Sequence, residues 1–410
     1  METNINFKKN FVWNVLGTGL NAFNSLFLMI IVTRINGVDK AGIFTIAFST
    51  ACILYVIGTF AGRIFQVTEG DKTISDKDFI VNRILSFILM ILCTIAFVVI
   101  RKYDYYKSTI FIILAIYKGI EAFSDVLYGI MQKNDLLYKA GQSYFLKGLL
   151  TLFVFFTVDF FTKDLVMSCV SIVIIWLVIM VVFDLRTVHR LIDTEKRMNW
   201  KNTIKLFKTG FFVFSITFLG LYVMNAPKYA IDSMLENKYQ TIFGIIVMPA
   251  TVIGLFGQFL IHPYLNQFVK LNESKDYNEI KKLQMKLIIY ILIFGVVASI
   301  GAYFLGIPVL QLIYGIDLQD YNIALTIIII ASTLYNVGMI YSNVLTTMRH
   351  TFIQFILYIV TAITAFAISN IFTNTWGVKG ASIAYFIIML ELFCLYFVTE
   401  RIILTRKGKE

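Results

Sequence analysis

Charged side chains recur inside apolar segments of this 410-residue chain. Residues 118–132 read KGIEAFSDVLYGIMQ and would place Lys118, Glu121, Asp125 and Gln132 within an arc of about 60° on a helix. An ionised group at the centre of a membrane helix costs about 2.5–3.5 kcal/mol on insertion scales. Several such groups must therefore face one another or water, where their chemistry is ion pairing or the binding of a charged ligand.

Three further cations share this setting. Lys228 lies between Asn225 and Asp232 at the same helical spacing, while Arg63 and Lys147 lie in other apolar segments. Together with Lys118 they offer positive charge at successive depths, and each can hold a doubly charged phosphate headgroup. Two structural alternatives remain open: an i, i+3 ion pair between Lys118 and Glu121, and snorkelling of Arg63 to the headgroups.

Narrow polar stripes on at least six of the apolar segments predict a shared, water-filled cavity. Asn14, Thr18, Asn21 and Ser25 share one face of the first segment, and Ser332, Asn336 and Asn343 share a face of the tenth. The alternative is hydrogen bonding between packed membrane helices, for which Ser, Thr and Asn are typical. The cavity-lining candidates are Asn14, Asn21, Asn225 and Asn336.

The composition indicates which elements position these residues. Hydrophobic residues make up 58% of the chain and charged residues 15%, against roughly 45–50% and 25% in soluble domains. Apolar runs of about 20 residues, each long enough to cross a bilayer, recur from end to end. We predict an all-α integral membrane protein, without a soluble domain large enough for an enzyme, whose spans lie near 11–35, 41–64, 80–100, 108–132, 140–158, 164–185, 209–234, 240–264, 285–306, 322–346, 352–373 and 380–399.

The distribution of Lys and Arg predicts the orientation, because cytoplasmic loops retain basic residues. With the N-terminus inside, 25 of the 36 fall in cytoplasmic segments and 8 in outside loops, and Lys118, Lys147 and Lys228 lie within spans. Both termini are therefore predicted to be cytoplasmic. The basic stretch from Arg186 to Lys208 is a topology signal that contacts anionic headgroups, and the net charge of +11 does not indicate a nucleic-acid partner.

That basic stretch is also the longest connection and lies mid-chain. We predict a six-helix bundle at 1–190, a cytoplasmic linker at 191–208 and a second six-helix bundle at 209–410. A short internal sequence similarity supports the division. DKAGIFTIA at 39–47 and ENKYQTIFGI at 236–245 each connect one span to the next and place Phe44 and Phe243 at corresponding positions. Internal repeats with a site between them are typical of transporters.

Catalytic motifs do not compete with this interpretation. The chain has no GxxxxGK[ST] phosphate loop, and His189, His262 and His350 lack the spacing of a zinc site. We predict no metal and no cofactor.

Pro227 and Pro249 interrupt two consecutive spans. Each proline is either a point where the helix flexes or a static kink.

Six segments, in order, resemble the Wzx-type polysaccharide flippases of the MATE-like MOP exporter superfamily. They are GTFAGRIFQVTEGD at 58–71, KGIEAFSDVLYGIMQKND at 118–135, GQSYFLKGLL at 141–150, NAPKYAIDSML at 225–235, IYGIDLQDY at 313–321 and GVKGASIAY at 377–385. The chain departs from the family pattern at Thr68 and Glu69, where the family usually shows Ser-Asp, and at Lys228, where arginine is frequent. A lysine offers a point charge rather than a bidentate fork.

The resemblance implies twelve helices in two pseudo-symmetric six-helix bundles that form a V. It also implies export of undecaprenyl-pyrophosphate-linked oligosaccharide units across the bacterial plasma membrane, beside a polymerase and glycosyltransferases, for O-antigen or capsule synthesis. The family's cationic cavity corresponds to Arg63, Lys118, Lys147 and Lys228. Glu121, Asp125 or Asp232 would bind and release a proton or Na⁺, since burial and neighbouring lysines change the affinity of a carboxylate for protons.

Two other functions stay open at this point. A multidrug exporter could share the scaffold, although organic cations favour an acidic cavity. A membrane scaffold for a glycan-polymerising complex, without transport of its own, would use the same helices.

Overall fold

The chain folds into helices throughout the parts that the structure describes. This computed structural model describes residues 2–60, 62–68, 73–192 and 197–407, without the side chains of 2–8, 64 and 65. Part of the 58–71 segment and of the 191–208 linker thus lies outside the described residues. The helices are α1 (Glu2–Asn36), α2 (Val38–Thr59), α3 (Gly62–Thr68), α4 (Asp76–Arg101), α5 (Tyr105–Lys133), α6 (Leu137–Thr162), α7 (Leu165–Ile179), α8 (Arg186–His189), α9 (Trp200–Met234), α10 (Asn237–Ile261), α11 (Leu265–Glu273), α12 (Tyr277–Gly301), α13 (Ile307–Tyr314), α14 (Asn322–Thr347) and α15 (Thr351–Lys407).

Eleven of the twelve predicted apolar segments lie essentially within helical runs, while the segment 41–64 extends past the end of α2 at Thr59 into the start of α3. Within the described residues, ten helices are long and apolar enough to cross a membrane. The charged residues of α5 keep it out of that set, although it is 29 residues long. The 57 residues of α15 hold two predicted spans, which are separated at Trp376 and at Gly377 with φ 56° and ψ −135°. Only glycine adopts such a backbone conformation readily, so Gly377 marks the turn between them.

Two π-helical turns extend spans that the sequence predicts as continuous. Met180–Leu185 joins α7 to α8, and Ala302–Gly306 joins α12 to α13. A π turn inserts one residue into the helix and frequently occurs at functional sites. The first of these turns carries Asp184, which matters below.

The start of α4 is fixed by a buried carboxylate. Ser75 and Asp78 form a capping box, in which the backbone N–H of Ser75 donates to Asp78 Oδ2 at 2.9 Å. Asp78 also accepts from the backbone N–H of Asn199 at 2.7 Å and from Asn202 Nδ2 at 3.0 Å. Asp78 is fully buried, and these charge-assisted bonds anchor the beginning of α9 to α4.

The helices divide into two compact units, Met1–Phe218 and Leu219–Glu410, and the boundary falls within α9. In the first unit α1 packs along α6 through glycines: a Cβ at Gly17 would lie 2.6 Å from Gly141 O. Small residues of this kind let membrane helices approach closely. Large apolar side chains such as Val99 and Phe153 are instead exposed, as expected of side chains that face lipid.

Candidate functional site

The first unit contains a polar cavity that gathers four of the predicted site residues. Its volume is about 190 Å³. Helices α1, α2, α3, α5 and α6 contribute to its wall, which is lined by Asn14, Thr18, Tyr55, Arg63, Glu121, Asp125, Tyr128, Ala140, Gly141 and Tyr144. The helical spacing in α5 accounts for the common direction of Glu121 and Asp125. Arg63 comes from α3, the short helix that follows α2.

Asp125 lies between two arginines. Arg63 Nε is 3.8 Å from Asp125 Oδ1, and Arg83 Nη2 is 3.5 Å from Asp125 Oδ2. Arg83 is only 3% exposed, and its Nη1 donates to the carbonyl of Gly58 at 3.1 Å. Sequence reasoning missed Arg83, because it lies near the start of a span and was counted with the preceding loop. Its position inside the predicted span 80–100 is the signal that could have identified it.

Glu121 has a cation behind it as well. Lys118 Nζ lies 2.6 Å from Glu121 Oε2, and the Tyr144 hydroxyl donates to Glu121 Oε1 at 3.0 Å. Lys118 is not part of the cavity lining; it lies 5.1 Å from the ring centroid of Phe48. The i, i+3 ion pair that the sequence left open therefore forms. The cavity wall presents Arg63 and two carboxylates, while Arg83 and Lys118 supply positive charge from behind.

Lys147 lies one side chain behind the wall of this cavity: it is not among the lining residues, but its partner Tyr128 is. Lys147 is fully buried and bonds to Asp184 Oδ2 at 2.5 Å, Ser124 Oγ at 2.7 Å and the Tyr128 hydroxyl at 3.0 Å. All three bonds of an ammonium group are thereby satisfied. The acid was missed because Asp184 is 37 residues away in the chain and reaches Lys147 from the π turn. This geometry is that of a buried ion pair within the first unit.

Asn21 is not among the lining residues of this cavity and bonds at a contact between helices. Its Nδ2 donates to the carbonyls of Gly17 and Tyr144 at 3.0 and 2.7 Å. It thus bonds α1 to α6 at their close approach, which is the alternative that the sequence left open for Asn stripes. Asn14, seven residues earlier in α1, does line the cavity.

The second unit contains a larger cavity of about 540 Å³. Lys228 is the only Lys, Arg, Asp or Glu among its described lining residues, and it is accompanied by four side-chain amides and two tyrosines on the wall. Asp232, one turn beyond Lys228, does not line it. The polar and aromatic residues of the lining are Asn225, Lys228, Thr251, Gln258, His262, Ser332, Tyr335, Asn336, Asn343 and Tyr385.

Two of the amides in this cavity are held in place by the backbone. Asn225 Nδ2 donates to the carbonyl of Leu221 at 2.8 Å, and Asn336 Nδ2 donates to that of Ser332 at 2.8 Å. A Cβ at Gly257 would lie 1.9 Å from Asn336 Oδ1, so this glycine makes room for the Asn336 side chain. In the described part of the chain, no group of three His, Cys, Asp or Glu side chains could hold a metal ion.

Comparison with known proteins gives one curated relative and a set of similar folds. The chain is 25% identical over 331 residues to the capsular polysaccharide biosynthesis protein CapF of Staphylococcus aureus. The aligned region covers 78% of this chain and 80% of CapF. No family model matches.

Two solved structures superpose with a TM-score of 0.70. One is an inward-facing multidrug resistance MATE family transporter of the MOP superfamily, which is 13% identical. The superposition covers 97% of this chain and 99% of the transporter chain. The other is the lipid II flippase MurJ in an inward closed conformation, 14% identical, covering 96% and 87%. These likenesses confirm the predicted fold class and agree with the resemblance to Wzx-type flippases.

Proposed function

Given that this chain is a multi-pass membrane protein with the MATE-like transporter fold, we propose that it moves undecaprenyl-pyrophosphate-linked oligosaccharide units across the bacterial plasma membrane. The movement is from the inner to the outer face and supplies surface polysaccharide synthesis. The names of two similar proteins support this function. One is a capsular polysaccharide biosynthesis protein and the other is a lipid II flippase.

The observation that carries the proposal is the chemistry of the cavity in the second unit. An ammonium group at Lys228 attracts phosphate, and four side-chain amides line the same cavity. Amide groups donate and accept hydrogen bonds and so suit sugar hydroxyls, while Tyr335 and Tyr385 offer apolar rings with a polar end. Its volume of about 540 Å³ lies within the range of roughly 300–1,000 Å³ typical of small-molecule sites.

We assign ion coupling to the cavity of the first unit. Glu121 and Asp125 line it, and each carboxylate has a cation on its far side. Protonation of Asp125 would weaken its ion pairs with Arg63 and Arg83, which join α5 to α3 and α4. Protonation of Glu121 would weaken its ion pair with Lys118 within α5. Asp232 remains a further candidate for binding the coupling ion. Arg63, near the start of α3, remains a candidate contact for the phosphate.

Substitution of Lys228 tests the site. In a strain whose own copy is deleted, Lys228→Ala should reduce surface glycan at least about tenfold, because one charge-assisted hydrogen bond is worth about 1.5–3 kcal/mol. Lys228→Arg keeps the charge and should retain more export. Lys238→Ala, which changes a half-exposed lysine beside Glu236, is the control at equal protein levels. Full surface glycan with Lys228→Ala would remove Lys228 from the mechanism.

Export of organic cations is the second candidate function. The two carboxylates on the wall of the first cavity favour it, because cationic drugs are attracted to acidic groups. The same strains decide: drug resistance that rises with expression, with unchanged surface glycan, would favour drug export.

The proposed orientation is N-in and C-in, from the excess of Lys and Arg on one side. A reporter enzyme that is active only outside the plasma membrane should stay inactive when fused after Glu410 and become active when fused after Lys163. Activity at both positions, or only at the first, would contradict this orientation.

A further inference from the structure

A third cavity, of about 490 Å³, lies on the first unit between α4, α5 and the run from the π turn through α8. We call it the α8 groove. Its wall is largely apolar and includes Ile80, Leu127, Val181 and Leu185. Leu127 is buried at 1% exposure, whereas Val181 is 50% exposed. The groove thus has a packed floor and an exposed side.

Basic residues close one end of this groove. Arg186, His189 and Arg190 line it and are exposed. The same end holds the N-terminus of α4 and the C-terminus of α5, since Lys133 Nζ lies 3.0 Å from Asp76 Oδ1. The charge count assigns this end to the cytoplasmic side. The groove therefore runs from cytoplasmic headgroups toward the membrane interior.

The dimensions match one leaflet. Val181 and Arg190 are nine residues apart, which corresponds to about 13 Å along a helix at 1.5 Å per residue. Half of a hydrocarbon core about 30 Å thick is about 15 Å. A phosphate held at the arginines would thus leave an acyl chain lying along Leu185 and Val181.

We propose that the α8 groove is a binding site for an anionic phospholipid of the cytoplasmic leaflet. The basic rim takes the phosphate and the apolar wall takes an acyl chain. Basic pockets between membrane helices on this side are suited to anionic headgroups, and each nearby Lys or Arg adds to the attraction. The site is separate from the two cavities of the proposed transport function and does not depend on that function.

The site has a structural consequence for the molecule. The π turn that forms its wall also carries Asp184, the partner of Lys147. A lipid that packs on Val181 and Leu185 therefore contacts the outer face of the turn whose inner face holds the buried ion pair. Occupancy of the groove would stabilise that turn.

The test is photolabelling of the purified full-length protein with phosphatidylglycerol that carries a diazirine in its acyl chain. We expect saturable labelling of peptides that contain Val181, Leu185 or Leu127, and labelling at least about tenfold weaker with phosphatidylcholine of the same chains. This comparison uses the unmodified chain, so it does not depend on the folding of any variant. Labelling at other helices, or equal labelling by both lipids, would overturn the proposal.

Paired substitutions separate a site from diffuse attraction. Arg186→Gln with Arg190→Gln should raise the half-saturating phosphatidylglycerol concentration about tenfold or more, since two charges are lost. The control, Lys201→Gln with Lys208→Gln, removes the same charge from exposed positions of the same basic stretch and should change it less than about twofold. An equal effect of both pairs would contradict a defined site. Stronger competition by undecaprenyl phosphate than by phosphatidylglycerol would contradict it too, by assigning the groove to the carrier lipid.

Discussion

At the scale of single residues, the four cations that the sequence groups together have different surroundings. Arg63 and Lys228 line cavities, Lys118 pairs with Glu121 beside a cavity, and Lys147 is sealed in with Asp184. A charged side chain in an apolar segment must find a partner, but the partner can be a cavity or another side chain. Burial therefore distinguishes a ligand-binding cation from a structural one.

The Lys147–Asp184 pair should behave as a structural unit. Lys147→Met alone leaves a buried carboxylate without its cation and should lower the free energy of unfolding by about 3–5 kcal/mol. Lys147→Met combined with Asp184→Leu removes both charges and should recover most of the loss, because an apolar pair can replace a buried ion pair at little cost. Unfolding in detergent, monitored by circular dichroism, measures the stability of the single and the double variant.

The outcome for glycan export completes that test. Export by the double variant should stay near that of the unmodified protein if Lys147 only supports packing. A double variant that is as stable as the unmodified protein yet exports no glycan would return Lys147 to the transport mechanism.

At the scale of elements, the sequence predicts the helices well and their partners poorly. The predicted spans are helical apart from the end of the second, which passes from α2 into α3, because a bilayer leaves few other ways to satisfy the backbone. The pairs Lys147 with Asp184 and Arg83 with Asp125 join residues 37 and 42 positions apart, and such contacts depend on which helices pack together. Neither the π turn that brings Asp184 inward nor the role of Asn21 at the α1–α6 contact has a sequence pattern of its own.

The close approach of α1 and α6 gives a matched pair of variants. Gly17→Ala would place a Cβ 2.6 Å from Gly141 O, whereas a Cβ at Gly19 meets no heavy atom within 4 Å. Gly17→Ala should therefore cost about 1–3 kcal/mol of stability through overpacking. Gly19→Ala should be neutral or stabilise by up to about 1 kcal/mol through helix propensity. Thermal unfolding of both in one detergent checks this, and an equal effect of the two would contradict the α1–α6 packing.

At the scale of the whole molecule, composition alone predicts a membrane protein of about twelve helices, and the likeness to MATE-like transporters confirms that class. Two compact units each contain one polar cavity, and the two cavities differ in charge: one presents two carboxylates with an arginine, the other a single lysine among amides. The resemblance to the flippase family assigns all four cations to one cationic cavity. The sequence alone could not assign each cation to its surroundings, because helical periodicity gives the face of a residue but not the neighbour that this face meets.

The central claim is that the protein itself moves a lipid-linked glycan, and the most direct measurement is movement of that lipid in vesicles. Purified protein is reconstituted with labelled undecaprenyl-pyrophosphate-linked oligosaccharide, and the fraction of label that reaches the opposite face is followed in time. We predict movement well above that of protein-free vesicles, slowed about tenfold or more by Lys228→Ala and unaffected by Lys238→Ala. Movement no faster than in protein-free vesicles would contradict the account and favour a scaffold without transport.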